Sequence, residues 1–288
     1  MSSPSICVYL PTHNRVSLLK RALNSILAQS LSASEIIVVD DGSTDGTQEF
    51  MASFCQQHPS CRYLRNDSPR GACFSRNRAI EACTSDYITG LDDDDEFMPD
   101  HLECLFNAFT PDYALVCSSL REDTGEKVIV RQLDVGKVTL ADLLHYNKLG
   151  NQIFTLSERL KSIGGFDESF PAFQDYDTWV RMLHAFGPAL KIKNATYVWH
   201  TAHEQVRISN SAIKRLNALA LFQKKHFHLL NRQHLDSLEL MRLRLSAESF
   251  SFFRFLSLVN RGNWKSATAL YLNSNLKRLK FILDKIRH

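Results

Sequence analysis

The chain has 288 residues, of which 44% are hydrophobic and 23% charged, proportions that are ordinary for a globular protein. Its formal net charge of +3 is close to balance, which argues against wholesale nucleic-acid binding. The N-terminus lacks a basic region followed by an apolar stretch, so the sequence predicts no signal peptide, and no run of about 18 apolar residues predicts a membrane-spanning helix. The seven cysteines form no CxxC pair, which favours free thiols in a reducing compartment, so we expect a cytoplasmic protein.

Short apolar runs alternate with helical periodicity in the first half of the chain. Strands are predicted at 6–10, 35–40, 62–64, 86–91 and 114–118, and helices from Ser17 onward and over 44–57, 76–83 and 99–109. Such alternation is typical of an α/β fold with a mostly parallel sheet and helices on both faces. The pattern is again helical from Ile213 to the end, with Gly262 as a break between two helices.

Polar residues are concentrated where three of the predicted strands end. The segments are PTHNR at 11–15, which contains Thr12, DDGSTD at 40–45, which contains Asp41, and DDDD at 92–95. Sheets of this kind bind ligands outside the carboxyl ends of their strands. Since parallel strands end at one shared edge, we expect the three segments to face one cleft.

The run of four aspartates is the sharpest of these signals. Adjacent carboxylates repel one another, and a divalent cation such as Mg²⁺ or Mn²⁺ would remove the repulsion. In an extended segment Asp92 and Asp94 point to the same side, so they can share one metal ion while Asp93 points away. The alternative is a solvated acidic turn that caps the helix beginning near Pro99.

The DDGSTD segment and a later arginine each allow two interpretations. The turn DGST by itself would let Ser43 or Thr44 cap the next helix. A pair of aspartates directly after an apolar strand suggests that they also accept hydrogen bonds from a nucleotide base or ribose. Arg76, in GACFSRN at 71–77, either binds an anionic ligand or lies on the surface at a helix start.

Two further polar segments lie in the second half of the chain. The sequence QDYD at 174–177 precedes an amphipathic helix, and we predict Asp177 as its N-cap. Asp175 is then free in a loop to act as a general base, or it only caps the helix. His203, in the segment 200–207, could reach a metal ion or a diphosphate, although with 11 histidines any one is more often structural.

Together these segments resemble glycosyltransferase family 2, a large family of inverting enzymes with the GT-A fold. The segments that carry the resemblance are YLPTHNR at 9–15, EIIVVDDGSTDGT at 35–47, GACFSRN at 71–77, YITGLDDDDEFMP at 87–99 and GGFDESFPAFQDYDTW at 164–179. The resemblance covers roughly residues 4–210. It implies a catalytic domain over 1–210, with a nucleotide-binding half over 1–120 and an acceptor half over 121–210, and a helical extension over 211–288.

The resemblance also implies a role for each matching residue. The residues assigned to the donor are Thr12, Asp41, Arg76, Asp92 and Asp93, of which Thr12 and Asp41 would contact the base. Asp92 and Asp94 match the DxD motif that holds Mn²⁺ or Mg²⁺ on the donor diphosphate, with Asp94 as a direct ligand. His203 is a further candidate ligand, at a position that varies in the family.

Asp175 matches the catalytic base of the family. The family often has Glu-Asp at this point, where this chain has Gln174-Asp175, but the base itself is kept. The expected reaction is a single displacement that inverts the anomeric carbon. The expected donor is a UDP-sugar, and the expected acceptor is a carbohydrate or a lipid-linked oligosaccharide in the synthesis of a bacterial surface polysaccharide.

Two other classes of function remain open on the sequence alone. A metal-dependent nucleotidyltransferase or phosphatase also uses an aspartate-rich strand end, but it would not explain Asp175. A relative that has lost activity would only bind a sugar or a nucleotide, and the intact Asp92, Asp94 and Asp175 argue against that reading.

The last residues combine apolar and basic side chains. Over 275–288, leucines and isoleucines recur at helical spacing with five lysines and arginines between them. Such a helix can lie on an anionic surface, which favours docking on the inner face of the cell membrane. The alternative is a helix packed on the catalytic domain.

Overall fold

The computed structural model describes residues 5–202 and 211–286, with side chains described as far as residue 275. By its internal contacts the chain divides into two compact units. The first takes in the chain as far as Leu140, then Lys148–Glu168 and the segment that begins at Gln174. The second takes in Ala141–Asn147, Ser169–Phe173 and the C-terminal helices. The domain boundaries inferred from the sequence stay a prediction.

Among the described residues, one sheet of ten strands forms the centre of the first unit. The strands are β1 (Ile6–Thr12), β2 (Glu35–Asp40), β3 (Cys61–Arg65), β4 (Tyr87–Gly90), β5 (Glu96–Phe97), β6 (Leu115–Asp123), β7 (Val128–Arg131), β8 (Gly136–Val138), β9 (Phe154–Leu156) and β10 (Ala189–His200). Their order is β3-β2-β1-β4-β9-β6-β10-β5, with β7 beside β6 and β8 beside β10. The first four strands in this order are parallel, so their carboxyl ends meet at what we call the carboxyl edge.

The helices are amphipathic where they pack on the sheet. They are α1 (Val16–Leu27), α2 (Thr47–Gln57), α3 (Ala72–Ala82), α4 (His101–Ala108), α5 (Leu140–Leu143), α6 (Ser157–Ser162), α7 (Gln174–Phe186), α8 (Ala212–Lys225), α9 (Arg232–Leu245), α10 (Phe252–Leu258) and α11 (Trp264–Ile286). In α1, Leu19, Leu23 and Ile26 recur at helical spacing. They are buried in the main core together with strand residues such as Val8 and Val38.

The predicted α/β fold with a mostly parallel sheet and C-terminal helices is confirmed. The five predicted strands correspond to β1, β2, β3, β4 and β6. The other strands were not predicted, and β9 lies antiparallel between β4 and β6. With only the residues Phe154–Leu156, β9 is too short for an alternating pattern to reveal it.

Two helices begin later than the sequence suggested. α2 begins at Thr47, because Asp45 accepts hydrogen bonds from the backbone N and the hydroxyl of Thr47, at 3.3 and 2.6 Å. Ser43 does not cap this helix; its hydroxyl accepts from the backbone of another segment instead. α4 begins at His101, so Pro99 lies just outside it.

The second unit consists mainly of α8–α11. Ser211 caps α8 by accepting from Lys214 N at 3.3 Å, and Asn231 forms a capping box with His234 at the start of α9. The core residues are Leu240, Leu243, Phe250, Leu258 and Ala267. The predicted break at Gly262, between α10 and α11, is confirmed. Within the described part of the chain, no helix is long and apolar enough to cross a membrane.

Gly90 allows β4 to lie closely against β1. A Cβ at Gly90 would overlap the Tyr9 ring and Gln152 Oε1. Gly90→Ala should therefore lower the free energy of unfolding by about 3 kcal/mol, at the upper end of the range for overpacking. Urea denaturation followed by circular dichroism measures the loss.

A matched control separates overlap from backbone strain. Gly46 has a φ of +86° and a Cβ there would have its nearest neighbour at 4.0 Å. Gly46→Ala should lose about 1 kcal/mol, from the left-handed backbone alone. Equal losses in the two variants would contradict the overlap at Gly90.

Candidate active site at the carboxyl edge of the sheet

The three predicted polar segments meet at the carboxyl edge. Thr12 ends β1, Asp41 follows β2, and the aspartate run follows β4. The backbone N of Asp41 donates to Thr12 O at 2.8 Å, and Thr12 Oγ1 donates to Asp93 Oδ2 at 2.8 Å. The expected juxtaposition of these segments is therefore what the structure shows.

The four aspartates lie in a turn and not in an extended segment. A hydrogen bond of 3.0 Å from Asp95 N to Asp92 O closes the turn. Strand alternation does not apply here, so the argument that put Asp92 and Asp94 on one side of an extended segment is wrong. The direction of each carboxylate is set by its own partners.

Arg15 contacts two of the four carboxylates, and the sequence analysis did not single it out. Its Nη1 donates to Asp93 Oδ1 at 2.9 Å and lies 3.3 Å from Asp94 Oδ2. Asp93 is buried, and this burial raises its pKa to about 6, although Arg15 and Thr12 act in the opposite direction. The sequence signal for Arg15 is its place in PTHNR, the polar segment that also contains Thr12.

Asp92 is held by three donors from distant parts of the chain. Arg76 Nη2 donates to Oδ1 at 2.8 Å, which places this predicted donor-binding residue at the aspartate run. Gln152 Nε2 also donates to Oδ1, at 2.9 Å, and Asn151 Nδ2 donates to Oδ2 at 2.9 Å. In the described part of the chain, the buried Nε of Arg76 has no hydrogen-bond partner. Asn151 and Gln152 were missed because nothing local in the sequence marks them.

Asp95 fastens the turn to β10. Tyr197 Oη donates to its Oδ2 at 2.8 Å, and the backbone N of His200 donates to its Oδ1 at 3.1 Å. Burial raises the pKa of Asp95 well above its usual value, and the charges of Asp92 and Asp94 raise it further. Asp95 is therefore an internal anchor of the run.

Asp41 organises the loop that leads into α3. Its carboxylate accepts hydrogen bonds from Asn66 Nδ2 at 2.7 Å, Arg70 N at 2.9 Å and Gly71 N at 2.7 Å. Although burial raises it, the pKa of Asp41 is held below its usual value by these donors. Because α3 carries Arg76, this loop connects the end of β2 to the aspartate run. A contact between Asp41 and a base stays a prediction.

Asp175 lies in the first turn of α7, because the helix begins at Gln174. The prediction of a loop that ends at an N-cap on Asp177 is wrong: Asp177 is buried within the helix and accepts from Arg181 Nε at 2.9 Å. Burial raises the pKa of Asp175 to about 6. The charge of Arg76 lowers this pKa and that of Asp92 raises it, so Asp175 is in electrostatic range of both.

α7 is also attached to the segment that holds Asp92. Trp179 Nε1 donates to Gly150 O at 3.0 Å. Gly150 immediately precedes Asn151 and Gln152, whose amides contact Asp92. Residues 150–152 thus connect α7, which carries the candidate base, to the aspartate run.

The aspartate run offers the oxygen donors that Mn²⁺ and Mg²⁺ take. The side chain of Asp94 is 13% exposed and that of Asp92 is 21% exposed, so both can be reached from solvent. His203 lies outside the described residues. His200 is described, and its ring nitrogens lie 2.7 Å from Glu96 and 3.4 Å from Asp123. The residues present therefore fit a divalent cation held by carboxylates.

A different cluster of potential metal ligands lies near the amino ends of the strands. Among the described residues, Cys7, Glu35 and Cys83 have ligand atoms within 4.8 Å of one another. Glu35, however, accepts hydrogen bonds from Arg62 Nη1 at 2.8 Å and from Thr84 N at 2.9 Å. We regard this cluster as structural.

Comparison with known proteins agrees with this geometry. Residues 7–166 match the family Glycosyl transferase family 2. The chain is 31% identical over 287 residues to the putative colanic acid biosynthesis glycosyl transferase WcaA of Escherichia coli (strain K12), with 96% of this chain and 97% of that protein covered. It is 26% identical over 271 residues to the chondroitin synthase of Escherichia coli, with 91% and 36% covered.

Solved structures with the same fold are more distant in sequence. S. aureus TarS 1-349 in complex with UDP-GlcNAc matches with a TM-score of 0.67 and 19% identity, over 94% of this chain and 79% of that chain. The mannosyltransferase PcManGT from Pyrobaculum calidifontis, in complex with GDP-Man and Mn²⁺, matches with a TM-score of 0.59 and 19% identity, over 97% and 88%. These likenesses show a GT-A-like fold, and the family match and the 31% identical relative show that the chain belongs to glycosyl transferase family 2 and is a glycosyltransferase.

Proposed function

We propose that this glycosyltransferase moves a sugar, with inversion, from a UDP-sugar to a carbohydrate or lipid-linked acceptor. The observation that carries the proposal is the gathering of Asp175, Arg76 and Asp92 at one edge of the sheet, with the pKa of Asp175 raised to about 6. A carboxylate with such a pKa is poised to exchange a proton near neutral pH. The named relatives support work on a bacterial surface polysaccharide, since one is a putative colanic acid enzyme and another a chondroitin synthase.

The donor would bind at the carboxyl edge. Thr12 and Asp41 would contact the base, as the family resemblance implies, and Asp93 would be a further donor-binding residue. Arg76 would lie beside the donor, where its buried Nε still has hydrogen-bonding capacity within the described structure. The structural neighbours in complex with UDP-GlcNAc and with GDP-Man support a nucleotide-sugar donor.

Asp92 and Asp94 would hold Mn²⁺ or Mg²⁺, as the oxygen donor set and the Mn²⁺ complex of one structural neighbour suggest. The bound ion would neutralise the negative charge that grows on the diphosphate as the sugar leaves. Asp175 would accept the proton of the acceptor hydroxyl as its oxygen attacks the anomeric carbon from the opposite face. A single displacement of this kind inverts the anomeric configuration.

Work at the inner face of the cell membrane, with contact through the basic C-terminal helix, is part of the proposal.

Removing the metal ligand should remove metal-dependent donor binding. In Asp94→Ala, the affinity for UDP in the presence of Mn²⁺ should fall by more than about a hundredfold, because the diphosphate loses its bridge to the protein. Isothermal titration calorimetry measures this. The control is Asp112→Ala, which removes an exposed aspartate after α4 and should leave binding unchanged. Wild-type affinity in Asp94→Ala would refute the assignment.

Replacing the base should lower turnover and spare donor binding. In Asp175→Asn, which keeps the size of the side chain, kcat should fall by about a hundredfold or more. Glu168→Gln, an exposed change in the loop before α7, is the control and should keep the wild-type rate. A fully active Asp175→Asn would show that another group is the base, and a product with a retained anomeric configuration by NMR would refute the single displacement.

The same base sets the expected pH dependence. Asp175 accepts a proton only when ionised, so kcat/KM should fall as pH decreases through about 6. The residual activity of Asp175→Asn should lack this acid limb. Buried Asp93 also has a pKa of about 6, so an acid limb that persists unchanged in Asp175→Asn would assign the limb to the aspartate run instead.

A further inference from the structure

Five large apolar side chains of α10 and of the described part of α11, as far as residue 275, are exposed. They are Phe252 at 52%, Phe253 at 82%, Leu256 at 51%, Trp264 at 55% and Leu272 at 48%. Phe252 and Phe253 lie four and three residues before Leu256, so the three share one side of α10. Single exposed apolar residues are normal, but a group of them marks a surface for interaction. We call these five residues the α10–α11 face.

The face belongs to a packed pair of helices. The Phe252 and Phe255 rings lie 6.0 and 5.0 Å from the ring of Tyr271 on α11. On the inner side, Leu258 and Ala267 are buried in the core of the second unit. The exposed aromatic rings are therefore the outer surface of a formed structure.

The segment that carries the face is strongly basic. Residues 251–288 contain eight lysines and arginines and one aspartate, whereas the preceding 250 residues contain 26 basic and 30 acidic residues. Lys265 Nζ lies 5.6 Å from the centre of the Trp264 ring. Arg254 lies between Phe253 and Phe255 and reaches Glu239 at 3.1 Å. Aromatic and basic side chains thus occur together on these helices.

We propose that the α10–α11 face docks on an anionic phospholipid membrane. Phenylalanine and tryptophan enter the boundary between headgroups and acyl chains, and lysine and arginine contact anionic headgroups. The seven residues of α10 are too few to span a bilayer, so the helix lies on the surface. A symmetric contact with a second copy is disfavoured, because it would bring two strongly basic segments together. The proposal rests on the membrane contact of the proposed function and places that contact before residue 275, and it does not depend on the donor or the base.

Vesicle binding of the full chain tests the proposal. Vesicles made of equal parts of phosphatidylglycerol and phosphatidylcholine should bind the wild type, and binding should weaken as salt rises. Phe253→Ser should reduce the partition coefficient by about tenfold, the effect of withdrawing one large apolar side chain from the interface. The control is Phe227→Ser, which removes a phenylalanine of 70% exposure outside the face.

Three outcomes would overturn docking through this face. They are a wild type that does not bind the anionic vesicles, equal binding of Phe253→Ser and wild type, and a wild-type dimer that Phe253→Ser dissociates. The last, seen by light scattering, would assign the face to a second copy.

Tryptophan fluorescence gives a local readout. Trp264 is exposed, whereas Trp179 is fully buried and Trp199 is half-buried. Brominated phospholipids should quench the wild type, and Trp264→Phe should lose most of the quenching while it still sediments with vesicles. Unchanged quenching in Trp264→Phe would contradict insertion at the face.

Hydrolysis of the UDP-sugar without vesicles separates the two proposals. Phe253→Ser should keep the wild-type rate of hydrolysis, because the substitution lies outside the carboxyl edge. Vesicle binding by a protein without donor hydrolysis would leave the docking proposal standing and refute the proposed donor chemistry. Donor hydrolysis by a protein that does not bind vesicles would support the proposed donor chemistry and refute the docking proposal.

Discussion

Four carboxyl groups on consecutive residues just after β4 impose the constraint around which the carboxyl edge is arranged. Two like charges about 4 Å apart, at an effective dielectric constant of about 20, repel by about 4 kcal/mol. A single such repulsion is comparable to a large part of the stability of a domain. The side chains that offset it here are Thr12, Arg15, Arg76, Asn151, Gln152 and Tyr197. They come from separate parts of the chain, so they can offset the repulsion only after the sheet has formed.

The same constraint makes four identical residues chemically different. Asp95 is buried against Tyr197 and has a strongly raised pKa, while Asp93 is buried beside Arg15 and has a pKa of about 6. Asp92 and Asp94 remain partly exposed. The buried Asp93 and Asp95 therefore anchor the turn, whereas Asp92 and Asp94 lie at the surface, where a cation can reach them.

In helix α7, the aspartates Asp175 and Asp177 also differ in their surroundings. Asp177 is buried and bound to Arg181, whose guanidinium also donates to Ile163 O at 2.7 Å and to Gly165 O at 2.6 Å. Asp177 thus fixes the helix to the preceding loop. Asp175, two residues earlier and half-buried, has a pKa that the loss of solvation raises to about 6.

The sequence by itself determined the elements that depend on local chemistry. Apolar runs such as 6–10 and 35–40 mark strands, and the polar residues that follow them fall at one edge because parallel strands share a direction. The order of these segments was enough to indicate the family. Local patterns also misplaced the starts of α2 and α7; at α2 the hydrogen bonds from Thr47 to Asp45 decide where the helix begins.

Only the tertiary structure decided which partner each functional side chain has. Asn151 is 59 residues from Asp92 in the chain, and Tyr197 is 102 residues from Asp95. Strand β9 lies between β4 and β6 because it pairs with both of them; its own three residues do not predict a strand. Helix and strand patterns depend on residues a few positions apart, so the sequence alone reveals them. The direction and the pKa of a carboxylate depend on hydrogen-bond donors and burial, which exist only after distant segments have come together.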